Sequence, residues 1–558
     1  MSKTTFGLDD ASHNFLAQIK SRVFSTPAHY ALLAIFSVLL SASWVLGHWL
    51  DGTGFSECFW SFCAFSLLLF AGLTLVTYWL DTHQITFAET AVSKNRGGIA
   101  FAVLFLSFFI TFLVNFPGSY SGDSVDSIKI ALGQLPWSNA HPVMFTLLIS
   151  PFVILGNALG NVAIGTALYL FIQLIFTAAV CAYACYWIKK MGAPDLVALA
   201  TLAFFTFNPI IAKYATTMWK DIPFSLCMLL FILLLFEIAF SKGRLLESPT
   251  TCLRLTALSF AICLLRNNGV FAMAACALCL AVVYRRHLKR LIPLLIVIPV
   301  VLVITGPLFT ACSIAPSPFR ESVGIPLQQI SAVVANNGSM TPEQEEKLAH
   351  LVDLDQMAQR YNPISTNPVK YDPSFNDEWL DSHKPEFVTL WLEIGLENPK
   401  TYFEAWLRET EGYWNIETQD WVVTTSGITK EEGRNLLYEV APIPIVGGNQ
   451  DSNYGNMRTS SFVSPLFSIA AAVWLVVGLA LVRWMRSQKE LILPYVPLIA
   501  LWATMLVAAP YYCEFRYMLP FHLALPIVIA TAFLSPNAQS ARHAYPHKTV
   551  TAAQKRGR

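Results

Sequence analysis

The sequence predicts an α-helical polytopic membrane protein. Hydrophobic residues make up 55% of the 558, charged residues only 13%, and mean hydropathy is +0.51. A soluble domain carries about twice that share of charge. The same numbers exclude a nucleic-acid partner: the formal net charge is +1 and no basic stripe with interleaved aromatics occurs. Eleven cysteines lie mostly inside apolar runs, Cys63, Cys181, Cys185, Cys227, Cys263, Cys276 and Cys279 among them, and read as small hydrophobes. No paired CxxC…CxxC metal pattern is present.

Taken in order, residues 1–28 are polar with Lys3, Lys20 and Arg22, and read as a cytoplasmic tail. Apolar runs of crossing length follow at about 29–50, 56–80 and 98–116. The stretch from Phe116 to Pro142, FPGSYSGDSVDSIKIALGQLPWSNAHP, comes next. Pro117 and Gly118 stop the preceding helix, and an amphipathic pattern then runs from Ser124 to Leu132. A second short apolar helix is expected at about Met144 to Leu155. Further spans read at 161–188, 194–209, 221–240, 252–265, 268–284 and 291–311.

Basic loops set the orientation. Lys94 and Arg96, Lys189 and Lys190, Lys242 and Arg244, and Arg285 through Arg290 all fall on one side only if Met144 to Leu155 does not cross. The positive-inside rule therefore predicts two helices lying along the membrane in the first large outer loop, residues 117–160. Residues 29–311 form the first membrane domain. From 312 to 460 the composition turns polar, which predicts a mostly helical soluble domain with its own core on the outer side. The last spans, about 462–482, 491–510 and 518–535, fill residues 461–535, and a basic cytoplasmic tail occupies 536–558. Twelve crossings are expected, with both termini cytoplasmic, in the plasma membrane.

Against that rule, Lys129, Lys213, Lys220, Arg266 and Arg516 sit at outer ends of spans, where an unpaired charge is costly. A single such cation needs only a structural partner such as Asp221 or Glu514. Five on one face point to a shared anionic ligand, and a phosphate suits the arginine fork. Asp123, Asp126 and Asp221 lie on the same face. A carboxylate in a partly dehydrated pocket can take a proton from a hydroxyl while cations opposite hold a leaving phosphate. Asp123 also has a simpler reading as a helix cap within SGDS, Asp126 and Lys129 as an i,i+3 pair, and His141 as a structural hydrogen bonder. In the polar domain, EGYWNIETQDW could stack a sugar on Trp414 or Trp421 beside Glu417 and Asp420; core or interface anchoring is the simpler use of Trp379, Trp391, Trp406, Trp414 and Trp421.

FPGSYSGDSVDS followed by NAHPVMFTLL, then TTMWKDIPFS, LLRNNGVF and EFRYMLPFHLALP, together resemble the GT-C superfamily of bacterial membrane glycosyltransferases. The resemblance covers about 98–310 and 490–535. It implies a polyprenyl-phosphate-linked sugar as donor, a glycan, lipid or protein acceptor, and an active site on the extracytoplasmic face of the bilayer. It places the catalytic base on Asp123, with Asp126 and Asp221 as further acids, and the lipid phosphate on Lys220, Arg266 and Arg516. Lys129, His141, Asn267, Glu514 and Tyr517 are then expected to contact substrate. The sequence has Gly122-Asp123-Ser124 where several relatives carry paired acids. No cofactor is expected: neither GxGxxG nor GxxxxGK[ST] occurs, and the cations do the work of a divalent ion that could otherwise bridge Asp123 and Asp221. A transporter or flippase of a lipid-linked saccharide would use the same cations but also needs broken helices and polar groups at mid-membrane.

Overall fold

In a bilayer every backbone N–H and C=O must be satisfied within its own segment, so long apolar runs of this chain have one choice, the helix. The computed structural model describes residues 15–86, 94–418, 467–508 and 511–535 and is helical almost throughout. Eight described helices are long and apolar enough to cross a membrane. They are α1 (Pro27–Leu50), α2 (Phe55–Thr82), α3 (Lys94–Val114), α6 (Val162–Lys190), α9 (Asp221–Phe240), α12 (Arg285–Ala311), α18 (Lys489–Ala508) and α19 (Phe515–Ala532). The protein is a polytopic helical membrane protein.

A ninth crossing is available from α7 (Asp195–Phe207) and α8 (Pro209–Ala215), which meet at a 60° bend. The break has a local cause. Pro209 has no N–H to continue α7, and the Asn208 side chain instead accepts from Ile210 N at 3.0 Å and Ile211 N at 3.2 Å, starting a new helix. The other three expected spans are present as α10 (Pro249–Leu265), α11 (Gly269–Val283) and α17 (Ile469–Met485), with 17, 15 and 17 residues. At 1.5 Å per residue they reach about 22–26 Å, short of a hydrocarbon core of about 30 Å. By length, eight or nine described crossings therefore stand where twelve were expected. Arg266-Asn267-Asn268 and Arg285-Arg286 follow α10 and α11, whose ends match the expected limits.

The first large loop holds α4 (Gly122–Ala131) and α5 (Val143–Ala158), close to the expected limits. Backbone contact fixes α5 against α6: a Cβ on Gly165 would lie 1.9 Å from the Phe152 carbonyl oxygen, and one on Gly156 would meet the Gly165 backbone at 2.7 Å. Burial is uneven. In α9 and α19, 78% and 83% of the apolar window is covered by other helices, against 6% in α2. The two innermost helices thus start at Asp221 and Phe515, and both starting points meet at one end of the bundle. At the far end the guanidinium of Arg483, fully buried, closes the end of α19 by donating to the Thr531 and Leu534 carbonyls. There too, Ile85–Thr86 and Leu534–Ser535 pair in parallel as a two-stranded sheet.

Residues 319–402 build a separate apolar cluster around Leu327, Ile330, Leu348, Met357, Phe387 and Ile394. It is carried by α13 (Gly324–Ala335), α14 (Pro342–Ala349), α15 (Lys384–Glu397) and α16 (Pro399–Thr410). Tryptophans tie this domain to the spans. Trp406 Nε1 donates to Leu506 O at 2.7 Å, Trp474 Nε1 to Trp414 O at 2.7 Å and Trp502 Nε1 to Tyr413 O at 2.9 Å. Trp414 is buried, so it offers no face to a sugar; Asp420 and Trp421 lie outside the described residues.

Glu409, fully buried on α16, accepts a hydrogen bond from Thr366 Oγ1, and no described donor reaches its Oε2. Burial pushes its carboxyl up to about 8, against which the Thr366 bonds and the Lys370 charge pull only partly. The folded protein holds this proton where the unfolded chain has lost it. Stability from this group is complete below the ordinary carboxyl value of 4.5 and falls as pH rises through about 8. Glu409→Gln keeps the shape and the bond to Thr366. In detergent, its unfolding free energy should fall less between about pH 5 and 8 than that of the wild type, the gap reaching a few kcal/mol; parallel pH profiles for the two proteins would contradict this.

Candidate functional site

The turn out of α3 cannot be made by just any residue. Gly118 adopts φ +141°, and a Cβ there would lie 1.9 Å from Leu170 Cδ1 on α6. From this point the chain runs beside Thr216–Met218: Ser119 N donates to Thr216 O at 3.0 Å and Met218 N to Ser119 O at 2.8 Å. Gln173 of α6 clamps the same turn, donating to Ala215 O at 3.1 Å and Thr217 O at 2.9 Å. Ser121 then caps α4. Its hydroxyl accepts from Ser124 N, the Ser124 hydroxyl accepts from Ser121 N at 3.1 Å, and Ser124 Oγ also donates to Met218 O. The cap is therefore Ser121, and Asp123 is left to face inward.

Asp123 is the centre of the site. Lys220 Nζ lies 2.8 Å from its Oδ2, Arg516 NH1 3.1 Å and Trp219 Nε1 3.2 Å, with His141 Nδ1 at 3.9 Å. Every one of these groups approaches the same oxygen. Among the described residues no donor reaches Oδ1, and the side chain keeps 29% of its surface open. Burial would push this carboxyl up, but Lys220, Arg516 and His141 outweigh it and hold it well below the usual carboxylate range. Lys220 also donates to His141 Nδ1 at 3.2 Å, and His141 Nε2 lies 3.5 Å from Asp126 Oδ2. Asp126 is half exposed.

A deeper pair lies behind the first. Asp221, fully buried, is bonded by Arg266 NH1, while its Oδ2 is buried with no described partner. Tyr517 joins the layers: its ring centroid is 4.9 Å from the Arg266 guanidinium and 4.7 Å from that of Arg516, and its hydroxyl accepts from Arg516 NH2 at 2.8 Å. Arg516 is held on two more sides, by the Trp219 ring at 4.1 Å and Glu514 Oε1 at 2.9 Å from Nε. The segment carrying Glu514 and Arg516 is anchored by the polar domain. Tyr512 N donates to Ile364 O at 3.1 Å, Gly412 N to Tyr512 O at 3.0 Å and Tyr413 Oη to Tyr511 O at 2.9 Å.

Of the residues expected from sequence, Asp123, Asp126, Asp221, Lys220, Arg266, Arg516, His141, Glu514 and Tyr517 come together here. Lys220 does not pair with its neighbour Asp221; each finds a partner from another part of the chain. Asn267 is exposed on the turn between α10 and α11, and it is Asn268 that bonds across to Thr504 at 3.3 Å. Lys129 stands in the last turn of α4, about 9 Å along the helix axis from Asp123. Lys213 departs from the expected cluster: buried on α8, it donates to Asn115 Oδ1 at 2.8 Å because the bend at Asn208 turns it back toward α3. Two contributors have no charge and escaped the reading. Trp219 donates to Asp123 and underlies Arg516; its signal is the aromatic beside the lysine in TTMWKD. Phe224, one turn into α9, lies 5.6 Å from the Arg266 guanidinium.

Among the described residues no group of three or more His, Cys, Asp or Glu side chains is arranged to hold a metal ion. Asp123 and Asp221 each bind a cationic side chain.

The fold and this cluster define a polytopic helical membrane protein with a polar, ion-paired site where its innermost helices begin. The chain belongs to a family of unknown function (DUF6020), matched over residues 135–550. The matched span includes His141, Lys220, Asp221, Arg266, Glu514 and Arg516 and starts beyond Asp123 and Asp126. No curated protein and no solved structure matches the chain.

The deeper pair gives a stability test. Arg266→Ala strands the Asp221 carboxylate, which already has one unbonded oxygen, and should destabilise the protein by about 3–5 kcal/mol. Asp221→Asn combined with Arg266→Ala should recover part of that loss, measured by thermal unfolding in detergent. Equal stability of Arg266→Ala and the wild type would show that the pair is solvated.

Proposed function

We propose that the protein is an integral-membrane glycosyltransferase. It moves a sugar from a polyprenyl-phosphate donor to a hydroxyl of an extracytoplasmic acceptor, with Asp123 as general base. The observation that carries the reading is the asymmetry at Asp123: its Oδ2 collects all the donors, while among the described residues none reaches its Oδ1 and the side chain keeps 29% of its surface open. A carboxylate fixed through one oxygen presents the other to an incoming hydroxyl in a set direction.

The step balances as a single displacement. The acceptor O–H proton passes to Asp123 Oδ1, and the acceptor oxygen forms a bond to the anomeric carbon. The bond from that carbon to the phosphate oxygen breaks, its electron pair leaving with polyprenyl phosphate, and the anomeric centre inverts. Lys220 and Arg516 neutralise the charge that gathers on the leaving oxygen, and Arg266 supports them from behind through Tyr517. His141, between Lys220 and Asp126, connects the site to solvent at the half-exposed Asp126. The lipid chain lies along the apolar helices, and no nucleotide is required because the phosphate ester supplies the driving force.

One feature favours a second reading, a transporter or flippase of a lipid-linked saccharide. The 60° break between α7 and α8, with Lys213 buried beside it, is the kind of discontinuous helix on which transport sites are built. The two separate in one assay. Purified protein given a polyprenyl-phosphate sugar and a candidate acceptor should release free polyprenyl phosphate. Asp123→Asn should lower that release by at least about 10³-fold while retaining the lipid. Full-rate release by Asp123→Asn removes Asp123 as the base, and movement of intact donor across vesicles without release favours transport.

A further inference from the structure

The cations that the phosphate of a donor needs are already taken. Lys220 and Arg516 bind Asp123, Arg516 also binds Glu514, and Arg266 binds Asp221, so three cations face three carboxylates before any ligand arrives. A singly charged phosphodiester cannot simply join this set. Its oxygens must compete for N–H groups that now point at Asp123 Oδ2, and its charge turns a balanced cluster into an anionic one.

The two layers do not yield equally. Arg266 and Asp221 are about nine-tenths and fully buried, and parting them would strand a carboxylate with no water to take over. Asp123 is the most open of the three carboxylates, at 29% against 8% for Glu514 and none for Asp221. Lys220 has the reach to turn on its own stem, and Arg516 stays in place on the Trp219 and Tyr517 rings while its outer N–H is redirected. The exchange therefore falls on Asp123.

From this geometry we propose that Asp123 is a gated base: in the empty site it is the counter-ion of Lys220 and Arg516, and an anionic phosphodiester displaces it from them. The inference rests on the function proposed above and concerns the regulation of the same site. Its chemical consequence is direct. An Asp123 relieved of two cations and placed beside a phosphate gains affinity for a proton, so the base becomes competent when the phosphate is seated. An empty site keeps Asp123 too weakly basic to activate water. The other titratable groups facing Asp123 are His141 and Asp126 from the first loop and α4, Glu514 from the segment before α19, and Tyr371 of the polar domain, whose hydroxyl is pushed up by burial and by the charges of Glu321 and Asp123. Tyr371 donates to Glu321 at 3.1 Å and so holds its own proton in place.

Binding of farnesyl methyl phosphate tests this without any turnover, since a phosphodiester neither gives nor takes a proton between about pH 3 and 9. Isothermal titration of the whole protein in detergent, in two buffers of different ionisation enthalpy, reads the protons exchanged. Near pH 5 the wild type should take up a fraction of a proton, on the order of 0.5 per ligand, and bind more tightly as pH falls. Asp123→Asn should take up none and, with the competing charge gone, bind at least about tenfold more tightly. Asp123→Ser, which cannot mimic the carboxylate at all, should behave in the same way and covers the case in which the asparagine variant misfolds. Binding with equal affinity and equal proton exchange in wild type and both variants overturns the gate and leaves the anion site standing. No binding to any of them overturns both the gate and the function it rests on.

Discussion

Charge at the edge of an apolar bundle must be paired, and the rest of this structure follows from how that is done. A lone carboxylate or guanidinium at the start of an inner helix would cost several kcal/mol. Asp221 opens α9, the four-residue turn with Arg516 opens α19, and these are the two helices most completely enclosed by others. Neither could begin with a charge unless a partner came from elsewhere. The partners are Arg266, from the turn after α10, and Asp123, from α4 of the first loop. Four separated segments are thereby fixed to one point, and the cluster is as much a lock on the fold as a chemical site.

The uncharged neighbours make the lock selective. Tyr517 places its flat ring against both guanidinium groups and Trp219 against that of Arg516, which holds their planes. Lysine has no plane to hold. Lys220 reaches Asp123 and His141 from the cap position of α9, on a flexible stem of methylene groups. The site thus contains one adjustable cation and two oriented ones.

Much of this was legible in the chain. The apolar runs locate every long helix, SGDS gives a capped start to α4, and the cations that break the positive-inside pattern include the three that meet. The pairing was not legible. Lys220 and Asp221 are adjacent and of opposite sign, which suggests a local pair, yet the start of a helix sends consecutive side chains about 100° apart and each meets a different layer. The expected spans at 252–265 and 268–284 end where α10 and α11 end; hydropathy registers apolar character and says less about whether 15 to 17 residues suffice to cross. Lys213 was grouped with the site by its position in sequence, and a single bend removed it. Trp219 carries no charge, so the charge pattern of the sequence does not single it out.

That bend also has a definite place in building the cluster. A broken helix in a transporter exposes backbone carbonyls or helix ends to a passing ligand. Here the ends are occupied. Asn208 satisfies the first N–H groups of α8, and the last carbonyls of α8, at Ala215 and beyond, receive Gln173. Lys213, buried on the same short helix, points to Asn115 at the end of α3. What the break accomplishes is to turn the chain so that Thr216–Trp219 runs beside Ser119–Ser121 and delivers Lys220 to Asp123. A continuous helix through Asn208 would carry Lys220 onward along its own axis and leave Asp123 without its shortest contact. The discontinuity is used up in building the ion cluster.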